Sequence, residues 1–383
     1  PMRASLLSAL FATALATASS PSAAGAVADN THAADSFSLA VYGDAPYGTT
    51  PSDTGELEAT PAFIDAINAD PRVRLVLHVG DIHSGKQYCT ADYNRTVAAL
   101  WRRFRDPLVY TPGDNEWTDC HKAAEGGGTW NATTQQVDLL RGTDGAPLSH
   151  AGGDPLANLA LVRQVFFPQP GRTLGGRPMD VISQAEFFDA RHPADAAFVE
   201  NAMFVQSGVL FVVVNIPGGS NNDQDPWYGA PSMGQRQAAE VADRSGATLR
   251  WLDQAFALAR HDRDIRAVAI MAQADMWDPE KGAAHQAGYA PFVDAIATHA
   301  SAFGKPVLML NGDSHEYQSG NPMSPADPAY AMHPGHDVPN FHRIVVHGST
   351  FPLEYLRLTI DPRADAANGA NAFGPFRWER VVR

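Results

Sequence analysis

Five short polar segments occur at or just after apolar runs of this chain, and together they offer carboxylate, amide and imidazole side chains. The segments are Gly43-Asp44, Gly80-Asp81, Gly113-Asp114-Asn115-Glu116, Gln273-Ala274-Asp275 and Gly312-Asp313-Ser314-His315. Oxygen ligands suit hard divalent cations such as Mg²⁺ and Ca²⁺. If the five segments meet in space, they form an oxygen-rich cation site.

The apolar runs beside these segments are short and rich in strand-forming residues, which indicates buried strands rather than helices. They occupy residues 38–42, 75–79, 108–110, 267–271 and 307–310. Open α/β sheets gather their ligand sites at the carboxyl ends of strands. We therefore expect side chains that are far apart in the sequence to converge on one pocket.

Helix-like segments alternate with the predicted strands, which predicts an α/β fold. Thr60 as N-cap and Pro61 at the first helical position predict a helix over 61–69. Further helices are predicted over 91–104, 235–260 and 291–303, a hairpin over 203–215, and more β-structure over 343–347 and 354–360. Residues 118–154 lack periodicity and predict a long loop of the kind that forms lids. We expect a single domain over residues 27–383 with a long insertion at about 118–200.

The composition is that of an ordinary globular protein, with 383 residues, 44% apolar residues and 18% charged residues. The formal net charge of −14 leaves no surplus of cationic side chains to neutralise phosphates. We therefore expect no bulk binding of nucleic acid or of anionic membranes.

The first residues are typical of a secretory signal peptide, with a short basic region, an apolar region and small residues before a cleavage site. These are Met2-Arg3, residues 6–16 and Ala24-Gly25-Ala26. We expect residues 1–26 to be removed near Ala26 and the mature chain to be secreted or periplasmic. A first buried helix is the alternative. No later segment supplies the roughly 20 apolar residues of a transmembrane span.

Cys89 and Cys120 are the two cysteines of the chain, and each follows one of the Gly-Asp segments. In an oxidising compartment two such thiols are expected to pair. Their disulfide would close a loop of about 30 residues and stabilise the fold by roughly 3 kcal/mol in the chain-entropy model. Free or distant thiols are the alternative, while the lack of a C-x-x-C spacing disfavours zinc binding.

The order and spacing of the five polar segments resemble the calcineurin-like metallophosphoesterase superfamily, which includes the purple acid phosphatases. The ordered family signature is D-x-H, G-D, G-N-H-[DE], a lone His and G-H-x-H. The resemblance covers about residues 38–350. It implies a four-layer αββα sandwich and hydrolysis of a phosphomonoester or phosphodiester by attack of a metal-bound water or hydroxide. The expected partner is a small-molecule phosphoester; the oligomeric state is not indicated.

The resemblance also implies roles for individual side chains. Asp81 would bridge two metal ions, with Asp44 and His315 helping to hold one of them. The other ion would be held by Asp114, Gln273 and Asp313.

This chain departs from the family signature at four ligand positions, since it has Pro46, Asp114, Gln273 and Asp313 where relatives have His, Asn, His and His. Oxygen replaces nitrogen at two of them, which favours Mg²⁺, Mn²⁺ or Ca²⁺ over zinc. The resemblance implies one or two divalent ions of Mn, Mg, Ca or Fe. Gln273 has a plain hydrogen-bonding role as its alternative, with Asp275 as a competing ligand.

Asn115 stands where the third motif of relatives has a catalytic histidine. An asparagine can donate a hydrogen bond to a developing oxyanion but cannot act as an acid. His83 and His121 are candidate replacements for the missing acid. A shift of one residue, with Asn115 itself as the ligand, remains open.

Asn221 and Asn222 lie in a polar loop and are candidate donors to substrate oxygens, although such residues are common in turns. The same applies to each Gly-Asp taken alone, since an aspartate after a strand often caps a helix.

Two hypotheses follow from these patterns. The first is an exported metal-dependent phosphoesterase. The second is a non-catalytic metal-binding or ligand-binding protein that keeps the same fold. The chain has no G-x-S-x-G, H-E-x-x-H or Walker A segment, so acyl hydrolases, zinc peptidases and P-loop enzymes have no sequence support.

Overall fold

Two seven-stranded sheets lie face to face in the computed structural model, which describes residues 36–279, 281–363 and 369–383. The predicted signal peptide, residues 1–26, lies outside the described residues. The strands are β1 (Phe37–Tyr42), β2 (Val73–His78), β3 (Pro107–Tyr110), β4 (Gly128–Asn131), β5 (Gln136–Leu139), β6 (Leu174–Gly175), β7 (Ile182–Ser183), β8 (Ala202–Gln206), β9 (Val209–Val213), β10 (Ala267–Met271), β11 (Val307–Asn311), β12 (Gln318–Gly320), β13 (Phe341–Val345), β14 (Glu354–Ile360), β15 (Ala372–Phe373) and β16 (Phe376–Val382). The helices are α1 (Gly55–Ala69), α2 (Ala91–Trp101), α3 (Pro155–Phe166), α4 (Gly218–Asn221), α5 (Gln235–His261), α6 (Ala283–Ala287) and α7 (Ala290–Phe303).

Parallel strands form the middle of each sheet. The first sheet has the order β15-β16-β14-β1-β2-β3-β6, in which β1, β2 and β3 are parallel. The second has the order β12-β13-β11-β10-β9-β8-β7, in which β9, β10, β11 and β13 are parallel. Parallel strands end at the same edge of their sheet, so the loops that follow them share that edge.

Alternation along each strand divides the apolar residues between two faces. In β1, Leu39 and Val41 face the second sheet. Ala40 and Tyr42 pack on the opposite face, in the core between the first sheet and helices α1, α2 and α3. The second sheet directs Phe211 and other residues toward the first sheet, and its outer face packs on α5 and α7. The layers therefore run helix, sheet, sheet, helix, which confirms the expected four-layer αββα sandwich.

The first helix begins earlier than predicted. It starts at Gly55, and Pro61 lies inside it. Thr60 is not an N-cap, since its hydroxyl donates to the carbonyl oxygen of Glu56 at 2.8 Å within the helix. A single proline removes only one backbone hydrogen bond, so the helix can continue through it. The second helix ends at Trp101 rather than at residue 104.

The stretch predicted to be a loop, residues 118–154, contains a hairpin. Strands β4 and β5 pair antiparallel, with Trp130 opposite Val137. The segment then enters α3, where the Asp154 carboxylate caps the helix by accepting from the N–H of Ala157 at 3.0 Å. Val162 and Phe166 of α3 extend the core of the first sheet.

Among the described residues, the helices are too short or too polar for any of them to cross a lipid bilayer.

Candidate functional site

The carboxyl ends of parallel strands bring the predicted polar segments together. Asp44, Asp81 and Asp114 follow β1, β2 and β3 of the first sheet, while Gln273 and Asp313 follow β10 and β11 of the second. The two sheets meet here: the N–H of Asp313 donates to Asp44 at 3.1 Å, and the Gln273 amide donates to Asp81 at 3.3 Å.

A cleft of about 690 Å³ opens over these strand ends. Its lining combines several of the predicted site residues with cationic and hydroxyl side chains that the sequence did not single out. The lining includes Tyr47, Ser84, Lys86, Asp81, Asp114, Asn115, Lys281, Asp313, His315, Thr350 and Phe351.

Asp44, Asp81 and His315 form one compact set of donors, which we call the Asp44 group. One ligand atom from each lies within 4.8 Å of the others. Both carboxylates are buried, and His315 is partly exposed to the cleft. All three residues have a positive φ, at 50°, 59° and 64°. Non-glycine residues adopt this conformation at a cost, and such costs concentrate at functional sites.

The carboxylate of Asp81 is held by its neighbours. The Tyr47 hydroxyl donates to Asp81 Oδ2 at 2.6 Å, and the Asn115 side-chain amide donates to the same oxygen at 3.0 Å. The backbone N–H of Asn115 donates to Asp81 Oδ1 at 3.2 Å. The same amide nitrogen also lies 3.0 Å from the hydroxyl oxygen of Tyr47. Asn115 therefore orients Asp81 and Tyr47 in this arrangement.

Glu116 supports the loops from beneath, a role that sequence reasoning missed. Its Oε1 accepts from the N–H of Gly113 at 2.7 Å, from the N–H of Asp81 at 3.2 Å and from the hydroxyl of Tyr110. One carboxylate thus ties the loop after β2 to the loop after β3.

Asp114, Gln273 and Asp313 form the second set, which we call the Gln273 group. Gln273 is fully buried, and its Nε2 donates to Asp114 Oδ1 at 3.0 Å. Its Oε1 accepts from the N–H of Gly218, at the start of α4. Asp313 Oδ2 accepts from the N–H of Asp275 at 2.8 Å. Within this group Gln273 contacts Asp114, while Asp313 is held by the backbone N–H of Asp275.

Asp275, the competing ligand candidate, has other partners. Its carboxylate forms an ion pair with Arg343 and accepts from the Ser314 hydroxyl at 2.8 Å. It is completely buried behind the loop that carries Asp313.

Burial raises the pKa of the carboxyl groups at the site. The pKa of Asp44 and that of Asp81 are raised well above the usual range by desolvation, with Asp114 and Glu116 adding repulsion. Burial likewise raises the pKa of Asp313, and it raises the pKa of Asp114 to about 7. Desolvated carboxylates remain ionised only where a nearby cation or hydrogen-bond donors compensate their charge.

The Asp44 group fits a divalent cation by two observations. Its donors are close enough to share one ion, and among the described residues neither carboxylate has an ion pair with lysine or arginine. Burial lowers the pKa of His315 to about 4, so its imidazole is neutral near pH 7, the form that binds metals. The Gln273 group does not fit in the same way, because Gln273 turns the donating nitrogen of its amide toward Asp114, while its oxygen accepts from the N–H of Gly218.

His83 and His121, the candidate acids, are buried away from the cleft lining. The Nδ1 of His83 lies 3.1 Å from the carbonyl oxygen of Ser84, and its ring contacts Tyr93 edge-on. The Nδ1 of His121 accepts from the N–H of Tyr228 at 2.9 Å. Burial lowers the pKa of both imidazoles, which disfavours the charged, acidic form.

Asn221 and Asn222, the candidate substrate donors, are also absent from the cleft lining. Asn221 donates to the Ser245 hydroxyl at 3.1 Å and accepts from Arg244. Asn222 donates to Glu240 at 2.8 Å and accepts from the Trp227 indole N–H at 2.9 Å. Their amides hold the loop against α5.

The predicted disulfide between Cys89 and Cys120 is present. Its two sulfur atoms lie 3.3 and 3.4 Å from the carbonyl oxygen of Asn115. The disulfide therefore joins the loops after β2 and β3 directly behind the residue that orients Asp81.

Tyr47 and the two lysines of the cleft were missed from the sequence. Tyr47 lies three residues after Asp44, so the segment G-D-x-x-Y was available as a signal. Lys86 and Lys281 are exposed at the cleft. No local pattern marked them, because exposed lysines occur over most protein surfaces.

One protein-family model matches the N-terminal part of the chain. Residues 31–209, a little under half of the chain, match the family model of the calcineurin-like phosphoesterases. The matched part of the chain is thus similar to the calcineurin-like phosphoesterases, which confirms the resemblance seen in the motifs. The match contains Asp44, Asp81 and Asp114 but ends before Gln273 and Asp313.

A solved structure of a purple acid phosphatase from yellow lupin (Lupinus luteus) seeds is also similar, with a TM-score of 0.39 and 12% sequence identity. The alignment covers 91% of this chain and 52% of that one, so the chain spans about half the length of the lupin protein. No curated protein sequence gives a significant match.

Proposed function

We propose that this chain is an exported, metal-dependent phosphoesterase that hydrolyses a small phosphomonoester or phosphodiester in the cleft. The carrying observation is the Asp44 group, in which two buried carboxylates and one imidazole lie within 4.8 Å of one another beside the cleft. The superfamily match supports phosphoester hydrolysis as the class of reaction.

The donor set supports a hard divalent cation such as Mn²⁺, Mg²⁺, Ca²⁺ or Fe²⁺, held by Asp44, Asp81 and His315. Such an ion would supply Lewis acidity and would lower the pKa of a water molecule toward neutrality. Tyr47 and Asn115 keep Asp81 in place through the hydrogen bonds that they donate to its Oδ2.

The lysines of the cleft support an anionic substrate. Lys86 and Lys281 are exposed at the cleft, and an ammonium group is a compact donor to phosphate oxygens. Their positive charge would offset part of the repulsion between a phosphate and the acidic residues below. Thr350 and Ser84 add hydroxyl groups to the same lining.

The disulfide supports export. Disulfides persist in oxidising compartments and are rare in the cytosol, and Cys89 pairs with Cys120 beside the site. The signal-peptide pattern at residues 1–26 supports the same location.

The test is turnover of p-nitrophenyl phosphate and bis-p-nitrophenyl phosphate by metal-free protein to which Mn²⁺, Mg²⁺ or Ca²⁺ is returned. We expect metal-dependent hydrolysis, and the ratio of the two rates separates a monoesterase from a diesterase. The exposed Asp65→Asn variant is a control that should keep full activity, since Asp65 lies on α1 and pairs with Arg103. Metal binding without turnover of either substrate would favour the non-catalytic alternative.

A further inference from the structure

Gln273 lies where a positive charge would be expected, between two buried carboxylates. Its Nε2 donates to Asp114 Oδ1 at 3.0 Å and to Asp81 Oδ2 at 3.3 Å. A primary amide has two hydrogens, and both are used here. The positive end of the amide dipole therefore points at the gap between the carboxylates of Asp81 and Asp114.

The orientation of this amide is fixed by its other end. Gln273 Oε1 accepts from the N–H of Gly218, and both groups are buried. Turning the oxygen toward Asp81 and Asp114 would place acceptor against acceptor and leave the Gly218 N–H without its partner. Gln273 thus acts as a donor to these carboxylates and does not present an oxygen to a cation.

The backbone of α4 closes the space on the far side of the Gln273 group. A Cβ placed on Gly218 would lie 2.7 Å from Asp313 Oδ1 and 2.8 Å from both oxygens of Asp114. Residue 218 is a glycine because its backbone approaches these carboxylates closely. Residues 219–222 then continue with positive φ, at 57°, 60°, 59° and 61°. Such a turn is strained at its three non-glycine residues, and it holds Gly218 in this position.

An ion pair lies behind Asp114. The ammonium of Lys122 pairs with Asp119 at 2.6 Å, and Asp114 is repelled by Asp119 as well as attracted by Lys122. Asp119 is close by, since Asp119 Oδ1 and Asp114 Oδ2 both lie within 3.4 Å of a Cβ placed on Gly219. Asp114 therefore has the amide of Gln273 as a donor on one side and a lysine–aspartate ion pair on the other.

We infer that the amide of Gln273 takes the place of a second cation, so that the chain binds one divalent ion at the Asp44 group. The Gln273 group then positions Asp81 for that single ion. This inference deepens the proposed function, but ion counting tests it independently of turnover.

The experiment is metal stoichiometry measured on the whole chain. Metal-free protein is titrated with Mn²⁺ by isothermal titration calorimetry, and bound metal is counted by elemental analysis after equilibrium dialysis. We expect one ion per chain, with the six-line paramagnetic resonance spectrum of an isolated Mn²⁺. Two ions of similar affinity, or the spectrum of a coupled pair, would overturn the inference.

Variants at position 273 sharpen the test. Gln273→His and Gln273→Glu each replace the donating amide with a side chain that can accept or ligate, so we expect the count to rise from one ion to two. The matched control is Gln184→Glu, since Gln184 is also a fully buried amide but donates to Ala247 far from the cleft. Circular dichroism identifies any variant that fails to fold, and the wild-type count decides the question without variants.

The outcomes separate the inference from the proposed function. Two ions with turnover would overturn the inference and keep the function. One ion without turnover of either p-nitrophenyl substrate would support the inference and contradict the function. No bound ion at all would overturn both.

Discussion

The Asp44 group and the Gln273 group lie side by side and follow strands of the same kind, yet they differ in the side chain that accompanies the two carboxylates. In the Asp44 group, three residues with positive φ leave their ligand atoms within 4.8 Å of one another. Hydrogen-bond donors reach the carboxylates of both groups, but the Asp44 group adds the imidazole of His315, whereas the Gln273 group adds an amide that donates to Asp114. The loops after these strands can therefore present a set of ligand atoms or satisfy that set with a hydrogen-bond donor. The side chain of Gln273, after β10, decides which.

The largest difference between the groups should appear when Asp81 is changed. Asp81→Asn removes the carboxylate shared by Tyr47, Asn115 and Gln273, so we expect kcat/KM to fall on the order of 10³-fold or more. Asp114→Asn should cost much less, because Asp114 is engaged with Gln273. Steady-state kinetics on p-nitrophenyl phosphate measures both, and equal losses would contradict the distinction between the groups.

The disulfide links the loop that carries Asp81, of the Asp44 group, to the loop that carries Asp114, of the Gln273 group, so its removal tests how the two groups depend on each other. We expect the double variant Cys89→Ser with Cys120→Ser to lose about 3 kcal/mol of unfolding free energy. Metal affinity should fall too, because the disulfide lies behind Asn115, which orients Asp81. Urea unfolding and Mn²⁺ titration measure the two effects. Unchanged affinity in a destabilised variant would show that the loops hold Asp81 without the disulfide.

His315 and Gln273 provide a direct test of which group holds the ion. We expect His315→Ala to weaken Mn²⁺ binding by about 100-fold or more, since it removes a ligand rather than a supporting residue. Gln273→Ala should retain the single ion with a smaller loss, because it removes only a hydrogen-bond donor to Asp81. Calorimetric titration of both variants gives the affinities, and the reverse ranking would assign the ion to the Gln273 group.

The strand ends could be predicted well because their signal is local. A glycine and an aspartate after a short apolar run mark the end of a buried strand, so the amino-acid pattern alone places Asp44, Asp81, Asp114 and Asp313 together. The disulfide could be predicted equally well, since the chain has only two cysteines.

The hydrogen-bond partners of the polar side chains could not be predicted from the sequence, because they come from distant parts of the chain. Gln273 was considered a ligand, but its amide is used by Asp81, Asp114 and Gly218, and nothing near residue 273 encodes these contacts. Asn115 was predicted to donate to a developing oxyanion; its amide lies within hydrogen-bond distance of Asp81 and Tyr47, and nothing near residue 115 encodes these contacts. The predicted start of α1 was wrong because a proline was interpreted as a helix start rather than as an interior residue.

The smallest expected effect concerns the positive charge that the lysines of the cleft supply to the substrate when only one cation is bound. If the Gln273 group binds no second ion, the positive charge for the substrate comes partly from the exposed lysines of the cleft. We expect Lys281→Ala to raise KM for p-nitrophenyl phosphate by about tenfold with little change in kcat, the pattern of lost substrate binding. Lys305→Ala is the control, since Lys305 donates to the carbonyl oxygen of Ile265 and does not line the cleft.

In the Gln273→His background a second ion would supply the missing charge, so the KM effect of Lys281→Ala should shrink. An effect of the same size in both backgrounds would show that the lysine and the second ion act on different parts of the substrate.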